Sequence, residues 1–321
     1  MKSVPTNLIT GFLGVGKTTT VINLLKNKPP QARWAVLVNE YGDVGIDGAL
    51  IDGAGAEGVT VREVAGGCVC CAAAPFLPVA IHFLLLEARP ERLLIETTGL
   101  GHPARLLDSL RNSYQGRLDV RATLGLVDPA DFAQPTMRDN PVFVEQIQLA
   151  DVLILNKLDT ATPEQVQEFQ TWANSLYPPK LLIAGTTYGQ LNPAWLDLDS
   201  RDERKPFASH LLRHATADET DPTHRGWTFD PAVIFDAGRL LNVLENTPGI
   251  TRLKGVFHGA EEWIAVNRVG PTFRVTPTAY RRDSRLEVFA ERLDWDAFEK
   301  CLLGCQWIDS PPAVGSEVAA E

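Results

Sequence analysis

Short apolar runs alternate with amphipathic segments through the first part of the chain. Residues 8–10, 34–39, 59–64, 92–97, 122–127, 151–156 and 180–184 have the length and β-branched content of buried strands. Between them, residues 17–26, 75–88 and 163–176 carry apolar positions at helical spacing. Strands alternating with helices predict right-handed crossovers, hence an α/β domain whose mostly parallel sheet is covered on both faces. Ligands of such a sheet bind beyond the carboxyl ends of its strands. The residues directly after each run therefore matter most.

The rhythm fails over residues 197–225, a polar stretch broken by Pro206 and Pro222, which reads as a linker. Beyond it, residues 227–235, 252–258, 263–267, 272–276 and 286–290 read as strands, and 237–245 and 295–303 as helices. The expected organisation is a first domain over residues 1–196, the linker, and a smaller α+β domain over 226–308. A tail at 309–321 has no periodicity and is expected to fray.

Composition narrows the partners. Of 321 residues, 45% are hydrophobic and 22% charged, the balance of a globular protein. Thirty basic against 40 acidic residues give a net charge of −10, which argues against a general binder of nucleic acid or anionic membrane. The apolar run around residues 79–86 is interrupted by His82 and falls short of the ~20 residues a membrane span needs. The N-terminus lacks a signal-peptide core, and five cysteines, an odd number, do not suit a secreted disulfide framework. The expectation is a cytoplasmic protein.

The sharpest chemical signal is Gly11-Phe-Leu-Gly14-Val-Gly16-Lys17-Thr18-Thr19, directly after the first strand. It fits G-x-x-x-x-G-K-[ST], in which backbone N–H groups and a helix N-terminus cradle phosphates. Lys17 is expected to reach the β- and γ-phosphates and the Thr18 hydroxyl to ligate Mg²⁺. Asn156-Lys157-Leu158-Asp159 closes the strand at 151–156 and has the Asn-Lys-x-Asp pattern that reads guanine. A carboxylate such as Asp159 accepts from two guanine N–H donors that adenine does not offer. Arg92-Leu-Leu-Ile-Glu96-Thr97-Thr98-Gly99 ends a strand in an acid that orients Mg²⁺ or water and a glycine whose amide meets the γ-phosphate. The alternative for Glu96 is a solvated strand terminus, and His102 reads as a loop histidine rather than a base.

Gly66-Gly67-Cys68-Val69-Cys70-Cys71 places three of the five cysteines within four residues. Thiolates select soft or borderline ions such as Zn²⁺ or Cu(I). Three thiols with no nearby second pair suggest an exchangeable site; a redox switch or a buried turn are the alternatives. Asn39, Glu40 and Asp43 stand where a first switch would contact Mg²⁺ or a second metal, or form an Asx-type turn. Cys301 and Cys305 read as core or helix end, and His210, His214 and His224 as solvated linker histidines.

Together these segments resemble the CobW-type metallochaperone GTPases, a branch of the signal-recognition-like P-loop class. The resemblance rests on GFLGVGKTT at 11–19, NEYGDVGID at 39–47, GGCVCC at 66–71, ETTGLGHP at 96–103 and NKLD at 156–159. It continues more weakly into Arg252-Leu-Lys254-Gly255. It implies a P-loop GTPase domain followed by a CobW-like domain. It also implies a zinc chaperone: Zn²⁺ held by Cys68, Cys70 and Cys71 passes to a client apo-metalloprotein, coupled to GTP hydrolysis with Mg²⁺. A cobalt or iron chaperone, or a GTPase that senses metal or redox state without delivering metal, are the competing implications. Where some members carry an acid before the Asn-Glu pair this chain has Val38, and it lacks the histidine-rich stretch that many members carry.

Overall fold

A computed structural model describes residues 3–39, 58–64, 77–99, 103–198 and 223–307. These divide into two compact units: residues up to 198 together with 279–281, and the remainder from 223 onward.

The first unit is built on strands β1 (Val4–Gly11), β2 (Trp34–Asn39), β3 (Val59–Val64), β4 (Arg92–Glu96), β5 (Leu118–Val120), β6 (Leu124–Val127), β7 (Val152–Leu155) and β8 (Leu182–Gly185). Their order is β3-β2-β4-β1-β6-β7-β8, with β5 pairing β1. Every pairing among them is parallel. Strands β4, β6 and β7 are buried at every position, which is why they read as unbroken apolar runs.

Helices cover both faces. Helix α1 (Lys17–Lys26) buries Thr20, Val21, Leu24 and Leu25, a stripe at helical spacing, in a core shared with Ile9, Val36, Leu94 and Leu126. On the other face, α2 (Leu77–Glu87) and α3 (Pro103–Ser113) pack Ile81, Leu84, Leu107 and Leu110 against Leu8, Leu37, Leu93 and Ile95. Three further helices, α4 (Pro129–Phe132), α5 (Pro135–Arg138) and α6 (Pro141–Leu149), each begin with proline in the first turn, where its missing N–H leaves no bond unmade. Helix α7 (Pro163–Asn174) opens with a capping box between Thr162 and Gln165 and buries Phe169, whose ring meets Phe132 edge-on at 5.4 Å.

The second unit is an antiparallel sheet of β9 (His224–Thr228), β10 (Ile250–His258), β11 (Trp263–Val269), β12 (Thr272–Pro277) and β13 (Arg285–Ala290), in the order β12-β11-β10-β13-β9. Helices α8 (Ala237–Asn246) and α9 (Trp295–Leu303) bury Leu240, Leu244, Phe298 and Leu302 against Leu253, Phe257, Leu286 and Val288.

Several expectations need correction. The segment read as a strand over 227–235 divides: β9 spans 224–228, and Phe235 makes only isolated bridges to Gly259 and Gln306. Residues 224 and 225, read as linker, are therefore strand, and His224 is not a solvated linker histidine. Its ring stacks on Phe289 at 4.3 Å. The strand expected from 122 begins at Leu124, and β5 was not anticipated. His210 and His214 lie outside the described residues.

Candidate functional site

The carboxyl ends of β1, β4, β6, β7 and β8 converge on one edge. Gly11 is the last residue of β1, and the chain turns through Gly14 to Gly16, which precedes α1 in the left-handed conformation at φ 100°. A side chain at Gly16 would also meet the Asn156 amide at 2.7 Å. Lys17, 8% exposed, lies along the inside of the loop, its Nζ donating to the carbonyls of Gly11 and Phe12 at 3.0 and 3.1 Å. Thr18 is half-buried and donates through Oγ1 to Glu96 Oε1 at 2.8 Å, while Thr19 is exposed.

Glu96 ends β4 beside β1, in register with Ile9, and is 3% exposed. Thr97 continues this link, its N–H donating to the Ile9 carbonyl at 3.0 Å and its hydroxyl to Thr10 Oγ1 at 3.1 Å. Gly99 approaches the phosphate loop so closely that a Cβ would stand 2.6 Å from Leu13 Cα. A hydroxyl and a carboxylate held together at the end of a parallel strand are hard oxygen donors, the set that suits Mg²⁺.

The turn after β7 is tied to this loop. Asn156, 2% exposed, donates through Nδ2 to the Val15 carbonyl at 2.9 Å and accepts the Gly189 N–H at 3.0 Å through Oδ1. One side chain thus joins the phosphate loop, the Asn-Lys-Leu-Asp turn and the segment after β8. That segment is also held by Asn23, whose Nδ2 donates to the Tyr188 carbonyl at 2.6 Å. Lys157 has a left-handed backbone at φ 57° and donates to Asp128 Oδ2 at 2.6 Å. Asp159 is exposed on the same turn.

The geometry therefore groups Gly11, Gly14, Gly16, Lys17, Thr18, Glu96, Gly99, Asn156 and Lys157 at one sheet edge. Glu40, Asp43, Cys68, Cys70 and Cys71 lie outside the described residues. Cys301 is exposed; Cys305 is buried, its Sγ bonds to the Cys301 carbonyl at 3.1 Å, and burial pushes its thiol pKa up. Asp128, Gly189 and Gln146 were not anticipated. Gln146, 1% exposed, donates to the Gly99 carbonyl at 3.1 Å. The available signals were a polar residue among apolar ones in PVFVEQIQL for Gln146, and an acid before proline for Asp128. No helix among the described residues is long and apolar enough to cross a membrane.

The family described as CobW/HypB/UreG, nucleotide-binding domain, matches residues 5–183, and the cobalamin synthesis protein cobW C-terminal domain matches 224–306. The zinc chaperone YeiR of Escherichia coli is 37% identical over 93% of this chain and 97% of its own. The zinc chaperone CobW of a Sinorhizobium species is 29% identical over 79% of this chain and 77% of its own. The zinc-regulated GTPase metalloprotein activator 1 of Schizosaccharomyces pombe is 30% identical over 61% of this chain and 49% of its own.

Proposed function

Because this chain belongs to the CobW/HypB/UreG family, we propose that it is a GTP-hydrolysing zinc chaperone, loading zinc on Cys68, Cys70 and Cys71 and passing it to client apo-metalloproteins. The observation that carries the GTPase half is Asn156, which bonds the phosphate loop to the turn carrying Lys157 and Asp159. That bond supports reading phosphate and base recognition as one constellation rather than as two coincidental motifs.

In this reading the phosphate-loop amides and Lys17 bind the phosphates, and the Gly99 amide meets the γ-phosphate. Asp159 accepts from the guanine edge. Thr18 and Glu96 would hold Mg²⁺, which when bound neutralises charge developing on the phosphates. Glu96, fixed by its bond to Thr18, orients the water that attacks the γ-phosphate. With no arginine assigned to the transition state, turnover is expected to be slow without a partner. Glu40 and Asp43 are proposed to belong to the first switch.

The zinc half rests on the names of the relatives and on the sequence. Cys68 follows the last residue of β3 by four positions, and β3 runs parallel to β2, its carboxyl end at the edge that carries the phosphate loop. Thiolates tethered there would feel switch rearrangement on hydrolysis, which couples metal release to the nucleotide state. Zinc retention in the GDP-bound protein and in the complex with a non-hydrolysable GTP analogue tests the coupling. Affinities differing tenfold or more support delivery. Equal retention in both states leaves a sensor that does not deliver.

A further inference from the structure

Lys157 is held by a carboxylate to which the proposed function gives no task. Asp128 directly follows β6, and Lys157 lies two residues beyond β7. These strands are neighbours in the sheet, with Val127 in register with Leu155. The Lys157 ammonium has only to cross between adjacent strand ends to reach Asp128 Oδ2 at 2.6 Å. The other oxygen, Oδ1, accepts the Ala130 N–H at 2.8 Å and so caps α4, where Pro129 takes the first position. One carboxylate anchors itself to a helix with one oxygen and fixes the lysine with the other.

We infer that Asp128 is a positioning residue for guanine recognition: it holds the Lys157 side chain in one path beside Asp159, so that the apolar stem is preset where the purine ring enters. The inference rests on residues 156–159 being the base-reading turn. A free lysine stem loses rotamer freedom whenever it is fixed against a ligand. An ion pair with a mostly buried partner fixes it before the nucleotide arrives, and preorganisation of this kind raises affinity without adding a contact. The Asp128 side chain is 12% exposed against 38% for Lys157, so the acid is the rigid member of the pair. Asp131 of the same helix lies within its electrostatic reach. Its pKa is raised, chiefly by burial and then by Asp128, with Lys157 opposing. The lysine thus answers two carboxylates.

Asp128→Asn separates the two jobs of this residue. Asparagine caps a helix as well as aspartate, but its amide has a single acceptor oxygen. With that oxygen on Ala130, the NH₂ group is turned toward the ammonium. Isothermal titration of purified full-length protein with GDP and with ADP reads the result. The expected outcome is an affinity for GDP about tenfold weaker, with ADP changed less than about twofold, because adenine offers Asp159 no donor pair and so is not seated against the lysine stem. Lys157→Met should show the same loss, and the double variant should be no weaker than either single one. Thermal unfolding should place Asp128→Asn within a few degrees of wild type, whereas Asp128→Ala, which also loses the cap, melts lower. Equal weakening of GDP and ADP, or an unchanged ratio, overturns the inference and leaves Asp128 a helix cap. Absence of any guanine preference in the wild type instead overturns the base-reading turn itself, so the two failures are distinguishable.

Discussion

The Thr18 hydroxyl donates to Glu96 Oε1 at 2.8 Å, joining residues 78 positions apart in the sequence. The first turn of α1 and the last residue of β4 are thereby locked at the edge where the phosphate loop opens. Glutamine at position 96 can still accept this bond but carries no charge. Glu96→Gln should therefore keep GDP affinity within about threefold and lower kcat for GTP hydrolysis about 10²-fold. Phosphate release followed across a Mg²⁺ titration checks it. Unchanged kcat would remove Glu96 from the mechanism.

Lys17→Ala should weaken GTP binding by roughly 2–3 kcal/mol, the worth of a hydrogen bond to a charged group, or about 30- to 150-fold. No other cation in the described loop stands in the same place to compensate. Equilibrium binding of a fluorescent GTP analogue measures it. Unaltered affinity and turnover would defeat the phosphate-loop assignment.

Asn156→Ala leaves the Val15 carbonyl and the Gly189 N–H without their partner, in a position 2% exposed. Each orphaned buried group costs about 1–3 kcal/mol. Denaturant unfolding should show a loss of that order, with GDP protecting the variant less than the wild type. A variant as stable as wild type and equally protected would mean that this side chain does not hold the loops together.

Asp159→Asn should shift preference from GTP toward xanthosine triphosphate. The new amide donates to the 2-oxo group of xanthine, where the carboxylate had accepted from the guanine amine. Competition binding with both nucleotides measures the shift. Normal GTP affinity with no gain on the xanthine nucleotide would place base recognition elsewhere.

The elements legible in the sequence were those carried by strong local periodicity. Helices α1 and α9 begin and end at the expected residues because Lys17–Lys26 and Trp295–Leu303 alternate buried and exposed positions at helical spacing. Helices α4 and α5 span four residues each, too short for a period to show, and only their prolines mark them. Residues 229–235 look strand-like because Phe229, Val233 and Phe235 are apolar, yet they fill the core from irregular backbone. Residues 11–19 and 156–159, which the structure brings to one sheet edge, stand out in the sequence because each motif is local. Asp128 and Gly189 were not, since 29 and 33 positions separate them from the residues they serve, and only the order of the strands brings them together.

In the proposed function Cys68, Cys70 and Cys71 hold exchangeable zinc on a GTPase scaffold. Serine preserves the size of cysteine but stays protonated near neutral pH, so it supplies no thiolate. Replacing all three by serine and titrating against a chromophoric zinc chelator, with GDP bound and with a non-hydrolysable GTP analogue bound, is the direct measurement. Tight zinc binding should be lost in both states with GTP affinity intact, while serine at Cys301 and Cys305 should leave zinc affinity as it was. Equal zinc affinity in the wild type and the triple variant would contradict it.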